Sequence, residues 1–109
     1  MKTIEKLKRN GIDFDLEDII RICQKYFIIE LSIFGSAIRE DFTEDSDVDI
    51  LIIWKDYLEL NQPYDCVDVI EDLRFLFKRN VDVVDKLCIQ NPIRRKHILS
   101  TAEVIYANL

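Results

Sequence analysis

Two acids, Asp47 and Asp49, open an apolar run that reads Asp-Val-Asp-Ile-Leu-Ile-Ile-Trp from Asp47 to Trp54. Residues two apart on a strand leave the same face, so two ionised carboxylates there repel one another unless a cation lies between them. Magnesium suits that place, because it is a hard ion that prefers carboxylate and phosphate oxygens and joins one or two protein carboxylates to a nucleotide. Upstream, Gly35-Ser36 ends the β-rich run Ile28 to Phe34, and ten residues separate Ser36 from Asp47. A glycine at a strand end lets the backbone turn tightly and approach a ligand closely. If Ser36 opens a short helix, its hydroxyl and the exposed N–H groups of that first turn form an anion site.

A third acid, Asp82, sits in Val81-Asp82-Val83-Val84, where an apolar strand gives a charge no evident structural reason to be. If that strand neighbours the Asp47–Trp54 strand, three carboxylates converge beside the turn. That set suits two-metal nucleotidyl transfer, in which one ion orients a triphosphate and the other lowers the pKa of an attacking hydroxyl. Asp82 is then the candidate base or second-metal ligand. In-line displacement depends on positioning and charge neutralisation more than on a reactive side chain, so the lack of a nucleophile triad is no objection. The lone histidine, His97, has no part in the scheme.

These residues need a sheet to hold them. Leu16, Ile19, Ile20, Cys23, Tyr26 and Phe27 recur at helical spacing behind Asp15, whose carboxylate can cap the helix start. Ile28–Phe34 and Asp47–Trp54 read as strands, joined through a short helix and loop. Cys66, Ile70, Leu73 and Phe77 keep helical spacing between Tyr64 and Lys78, and Asn80 reads as the stop. Val81–Val84 is a third strand, Asn91-Pro92 caps a last helix through about Leu99, and Glu103–Tyr106 is a closing strand. The expected fold class is therefore α/β, a small mixed sheet with flanking helices in the order α-β-α-β-α-β-α-β.

The 109 residues are expected to form one domain, 1–109, too small for a catalytic domain plus a separate recognition domain. Three lysines and one arginine within residues 1–10 precede no apolar stretch, so a signal peptide is not expected, and no run is long enough to span a bilayer. Cys23, Cys66 and Cys88 fit neither a disulfide framework nor a zinc pattern and read as reduced core residues of a cytoplasmic protein. The net charge is −6. Residues 40–72 hold twelve acids against Lys55 alone, whereas residues 74–96 hold seven bases against two acids. The acidic balance argues against direct nucleic-acid binding. Arg94, Arg95 and Lys96, with His97, suit either a phosphate tail, an acidic partner or an exposed helix face. Tyr57, Leu58, Leu60 and Tyr64 around Pro63 make a candidate apolar contact patch, and Trp54 reads as core.

Gly35-Ser36, ten residues, then Asp47-x-Asp49 resembles the signature of the nucleotidyltransferase superfamily that includes DNA polymerase beta. With Arg39, Ser46, the apolar Ile50–Ile53 run and Val81-Asp82-Val83-Val84, the whole chain resembles the minimal nucleotidyltransferases, often antitoxins of a HEPN toxin. The resemblance implies a magnesium-dependent enzyme that transfers AMP from ATP to a tyrosine of a HEPN ribonuclease, silencing it within a hetero-oligomer. It implies that Gly35, Ser36 and Arg39 bind the nucleotide, that Asp47 and Asp49 hold metal and nucleotide, and that Asp82 is the third catalytic acid and metal ligand. The chain departs from the pattern at Glu40 and Glu44, where relatives often carry glycine and proline. A non-catalytic antitoxin that neutralises its partner by binding alone is the alternative, and transfer to a small molecule or RNA end is a third reading.

Overall fold

The computed structural model describes residues 2–55 and 66–108. An element absent from the expected order comes first: helix α1, Lys2–Arg9, anchored by Thr3 and Leu7 one turn apart and both buried. Eight residues with so few apolar positions leave almost no periodic signal, and such a helix persists through tertiary packing alone. It closes at Asn10-Gly11, where Gly11 takes φ +77° and Ile12 N–H donates to Leu7 O at 2.9 Å, a left-handed stop. Helix α2, Leu16–Lys25, starts as expected, with the Asp15 carboxylate accepting from Glu17 N–H at 3.0 Å. Ile19 and Cys23 are buried on its inner face. Phe27, expected on that face, instead turns into the left-handed region at φ +61° and is 42% exposed, because the helix has already ended at Tyr26.

Strand β1, Ile28–Phe34, leads into a single 3-10 turn, Gly35–Ile38, and strand β2 spans Val48–Trp54. Helix α3 is Cys66–Phe77, and the expected start at Tyr64 lies outside the described residues. The stop falls at Lys78, at φ +56°, two residues before Asn80. Strand β3, Val81–Asp85, helix α4, Pro92–Thr101, and strand β4, Glu103–Ala107, complete the order. The Asn91 side chain caps α4 by accepting from Ile93 and Arg94 N–H.

The strands form one sheet, β3-β2-β1-β4, with β2–β3 parallel and the other two pairings antiparallel. Alternation divides β2 between two cores. Val48, Ile50 and Ile52 face α1, α2 and α3 together with Leu7, Ile19 and Leu73. Leu51 faces the other side, where Phe34, Ile89 and Ile98 of α4 cover it. Trp54 is buried as expected. Of the cysteines, Cys23 is buried, which pushes its thiol up to about 12, but Cys88 is exposed on the turn after β3 and is not a core residue. The Cys66 side chain and the Tyr57–Tyr64 patch lie outside the described residues.

Candidate functional site

At one end of the sheet β1 finishes where β2 and β3 begin, so the register alone brings the acids together. Phe34 opposes Asp49 across β1–β2, and Asp49 opposes Asp82 across β2–β3. Asp47 stands one residue before β2, on the Asp49 side. β3 neighbours β2, the adjacency that reading required, and Val48 N–H donates to Asn80 O at 3.0 Å.

Gly35 follows Phe34 directly and takes φ +73°, a conformation L side chains rarely adopt. A β-carbon there would overlap Asp49 Oδ2 and stand 3.2 Å from Asp49 Cγ. The glycine is thus required twice, by the backbone angle and by the carboxylate against it. The turn it opens is tighter than the expected short helix. It is closed by Arg39 N–H on Ser36 O at 2.9 Å, with Ala37 and Ile38 buried and Ser36 half-buried beside Gly35.

Glu40, where relatives often carry glycine, is not strained. Among the described residues positive φ is confined to Gly11, Phe27, Gly35 and Lys78, and Arg39 leaves the turn extended. Glu40 and Glu44 are both exposed. Ser46 ties the loop ahead of Asp47, its hydroxyl accepting from Thr43 N–H at 3.1 Å. The Arg79 guanidinium lies 4.7 Å over the Phe42 ring on the same loop, a cation–π contact.

Two positioning residues, Asn10 and Arg79, were not singled out by sequence, and Arg94 was named only within a basic run. Asn10, at the end of α1, donates through Nδ2 to Ala37 O at 2.8 Å and Arg39 O at 2.9 Å, clamping the far side of the Gly35 turn. Its only visible signal was an Asn-Gly helix stop. Arg79 supports the loop before Asp47, and Arg94 of α4 acts electrostatically on Asp49. Arg95, its neighbour, is occupied elsewhere, donating to Lys86 O at 2.7 Å. Arg39, expected at the nucleotide, is ion-paired with Asp41 at 3.0 Å.

Burial raises the Asp49 carboxyl above the ordinary carboxylate range, and the charges of Asp82 and Asp47 raise it further, while Arg39 and Arg94 oppose the shift. Among the described residues no group of three or more His, Cys, Asp or Glu side chains is placed to hold a metal ion. Carboxylates are the hard oxygen donors that magnesium takes, and it retains waters and draws further oxygens from phosphates. A groove of about 430 Å³ between α2 and α3 lies on the opposite side of the sheet. Its Asp13, Asp15, Asp18 and Asp72 carboxylates outnumber Arg21 and Lys78 and repel a triphosphate.

The sequence profile of the family described as "Polymerase beta, Nucleotidyltransferase" matches residues 17–108. A Methanocaldococcus jannaschii protein named as a candidate protein adenylyltransferase is 33% identical over 103 residues, covering 90% of this chain and 93% of its own. The protein adenylyltransferase MntA of Thermococcus cleftensis is 31% identical over 83 residues, 76% of this chain and 78% of its own. Among solved structures, a toxin-antitoxin crystallised with AMP-PNP superposes with a TM-score of 0.65 at 16% identity, covering 86% of this chain and 74% of the matched one. That last likeness is one of fold.

Proposed function

This chain belongs to the polymerase beta nucleotidyltransferase family, and from that premise we propose that it is a magnesium-dependent protein adenylyltransferase acting as the antitoxin of a HEPN ribonuclease. The observation that carries the reading is the packing of Gly35 against Asp49, with Asp82 opposite it on β3. A residue that tolerates no β-carbon lets the Asp49 carboxylate close directly against the turn, so the acid and the backbone N–H groups proposed to meet phosphate stand side by side. The likeness to relatives named for protein adenylylation, one of them over 90% of this chain, supports the acceptor class.

In the proposed reaction the N–H groups and hydroxyl of Gly35-Ser36 bind phosphate oxygens and hold the triphosphate in line. A tyrosine hydroxyl of the toxin attacks the α-phosphorus, the new P–O bond forms as the bond to the diphosphate breaks, and Asp82 accepts the hydroxyl proton. Asp47, Asp49 and Asp82 would hold magnesium, which would supply charge neutralisation at the phosphates and acidify the attacking hydroxyl. Asn10 and Ser46 hold the turn and the loop so that these groups meet without reorganisation.

A second reading, neutralisation by binding alone, is favoured by one observation: Glu40, Asp41, Glu44 and Asp45 are all exposed on the loop before Asp47 and oppose an incoming triphosphate. An RNA-cleavage assay of the co-encoded partner separates the two. The transfer reading expects cleavage to stop after incubation with this protein, ATP and magnesium, and to persist when ATP is withheld. Equal inhibition without ATP would assign neutralisation to binding and refute transfer as its means.

A further inference from the structure

Within the nucleotide reading above, on which this inference rests, we propose that Arg94 of α4, and not Arg39, is the side chain that receives the β- and γ-phosphates and the departing diphosphate. The chain path places it. Helix α4 links the end of β3 to the start of β4, at opposite edges of the sheet, so it crosses that face from the β3 edge to the β4 edge. β3 runs away from the acids and β4 begins beside them, Glu103 opposite Ile33, so α4 returns over that face toward the acid end.

The helix phase then narrows the basic run to two. Ile98 is buried against the Phe34, Leu51 and Ile89 cluster, and the residues three and four positions earlier share its face. Those residues are Arg95 and Arg94. Arg95 is committed to the Lys86 carbonyl. Lys96 and His97 line an open surface depression with Pro92, Ile93 and Ser100. The charges of Arg39 and, less strongly, Arg94 both act on Asp49, but among the described residues the Arg94 guanidinium makes no ion pair. Arg39 makes two contacts to the Asp41 carboxylate, at 3.0 and 3.4 Å, so using it on phosphate means breaking them.

The chemistry requires such a group. A triphosphate approaching three carboxylates gains from a cation beyond the metal, and a guanidinium presents a planar fork matched to phosphate oxygens. An exposed arginine with no ion pair among the described residues supplies that fork with no such bond to exchange.

Calorimetric titration tests this with two ligands in magnesium buffer: AMP, and an ATP analogue bearing a methylene bridge between the α- and β-phosphorus. Arg94→Gln is expected to weaken the analogue by on the order of tenfold or more, the loss of one charge-assisted contact, and AMP by less than about twofold. Arg94→Lys restores part of the loss, Arg39→Gln and Lys96→Gln bind the analogue nearly as wild type does, and the thermal midpoint of Arg94→Gln is unchanged. Analogue binding by Arg94→Gln equal to wild type, an equal loss for both ligands, or a loss confined to Arg39→Gln would overturn the assignment while leaving the nucleotide site intact. A wild-type protein that binds neither ligand would overturn the nucleotide reading and this inference together.

Discussion

Replacing Gly35 by alanine applies two separable stresses, and the chain carries an internal control for one of them. Gly35 and Gly11 have nearly the same backbone angle, φ +73° and +77°, but a β-carbon at Gly11 meets nothing within 4 Å, whereas at Gly35 it overlaps Asp49 Oδ2. Holding an L residue left-handed costs about 1–2 kcal/mol, so Gly11→Ala should lose that and nothing more. At a domain of this size 1 kcal/mol corresponds to roughly 4 °C or more in thermal midpoint. Gly35→Ala carries the same backbone cost plus the displacement of Asp49. The Asp49 backbone cannot yield, being paired with Phe34 on one side and Asp82 on the other, so the side chain must swing away from the turn. A displacement of about 1 Å in a positioned group costs on the order of a hundredfold in rate. Differential scanning fluorimetry and a radiolabelled AMP-transfer assay on both variants read the two effects. The expected result is a midpoint for Gly35→Ala somewhat below that of Gly11→Ala, with transfer down about a hundredfold in Gly35→Ala and near wild type in Gly11→Ala. Transfer within threefold of wild type in Gly35→Ala would refute the reasoning.

Asn10→Asp replaces the amide that donates to Ala37 O and Arg39 O by a carboxylate facing two carbonyls. It should lose about 1–3 kcal/mol and raise the KM for ATP more than Asn10→Ala does, and equal kinetics for the two variants would count against the clamp. Asp49→Asn removes a half-buried charge that Asp82 and Asp47 disfavour, so the metal-free variant should melt about 0.5–2 kcal/mol higher than wild type while transferring no AMP, and a lower midpoint would contradict the repulsion. Burial alone would raise the Glu103 carboxyl, but Lys6 at 2.7 Å and Thr3 at 2.9 Å outweigh it and hold the group below its ordinary value. Its stabilisation is therefore present above the unfolded carboxylate pKa and lost as pH falls through the lower folded value. Glu103→Gln should melt lower at pH 7 by about 0.5 kcal/mol after solvent screening, and the difference should close below about pH 4; a gap that persists in acid would place the effect elsewhere.

The part of the site written into neighbouring residues was legible. Gly35, Asp47 and Asp49 lie within one strand-turn-strand segment, so residue type and the two-residue period of a strand fixed their relation before any tertiary contact was known. Asp82 was legible only conditionally, because its place beside Asp49 depends on which strand β3 joins. Asn10 was not, since its bonds to Ala37 and Arg39 cross 27 and 29 residues and nothing in an Asn-Gly pair names a distant carbonyl. Helix α1 escaped for a related reason, its apolar face being little more than Leu7 and Thr3. Phe27 and Cys88 were misplaced because apolar type was taken for burial, whereas a left-handed stop and a surface turn expose them. Arg94 and Arg95 are indistinguishable by type, and only the fold shows that Arg95 is the one that binds the Lys86 carbonyl.

The central claim is transfer of AMP by the Gly35, Asp47, Asp49 and Asp82 set. Intact-mass analysis of the co-encoded partner, after incubation with this protein, ATP and magnesium, tests it most directly. The account expects the partner to gain one or more AMP units with the wild-type protein and none with the Asp47→Ala/Asp49→Ala variant. A partner whose mass is unchanged by wild type, or is raised equally by the variant, would contradict it.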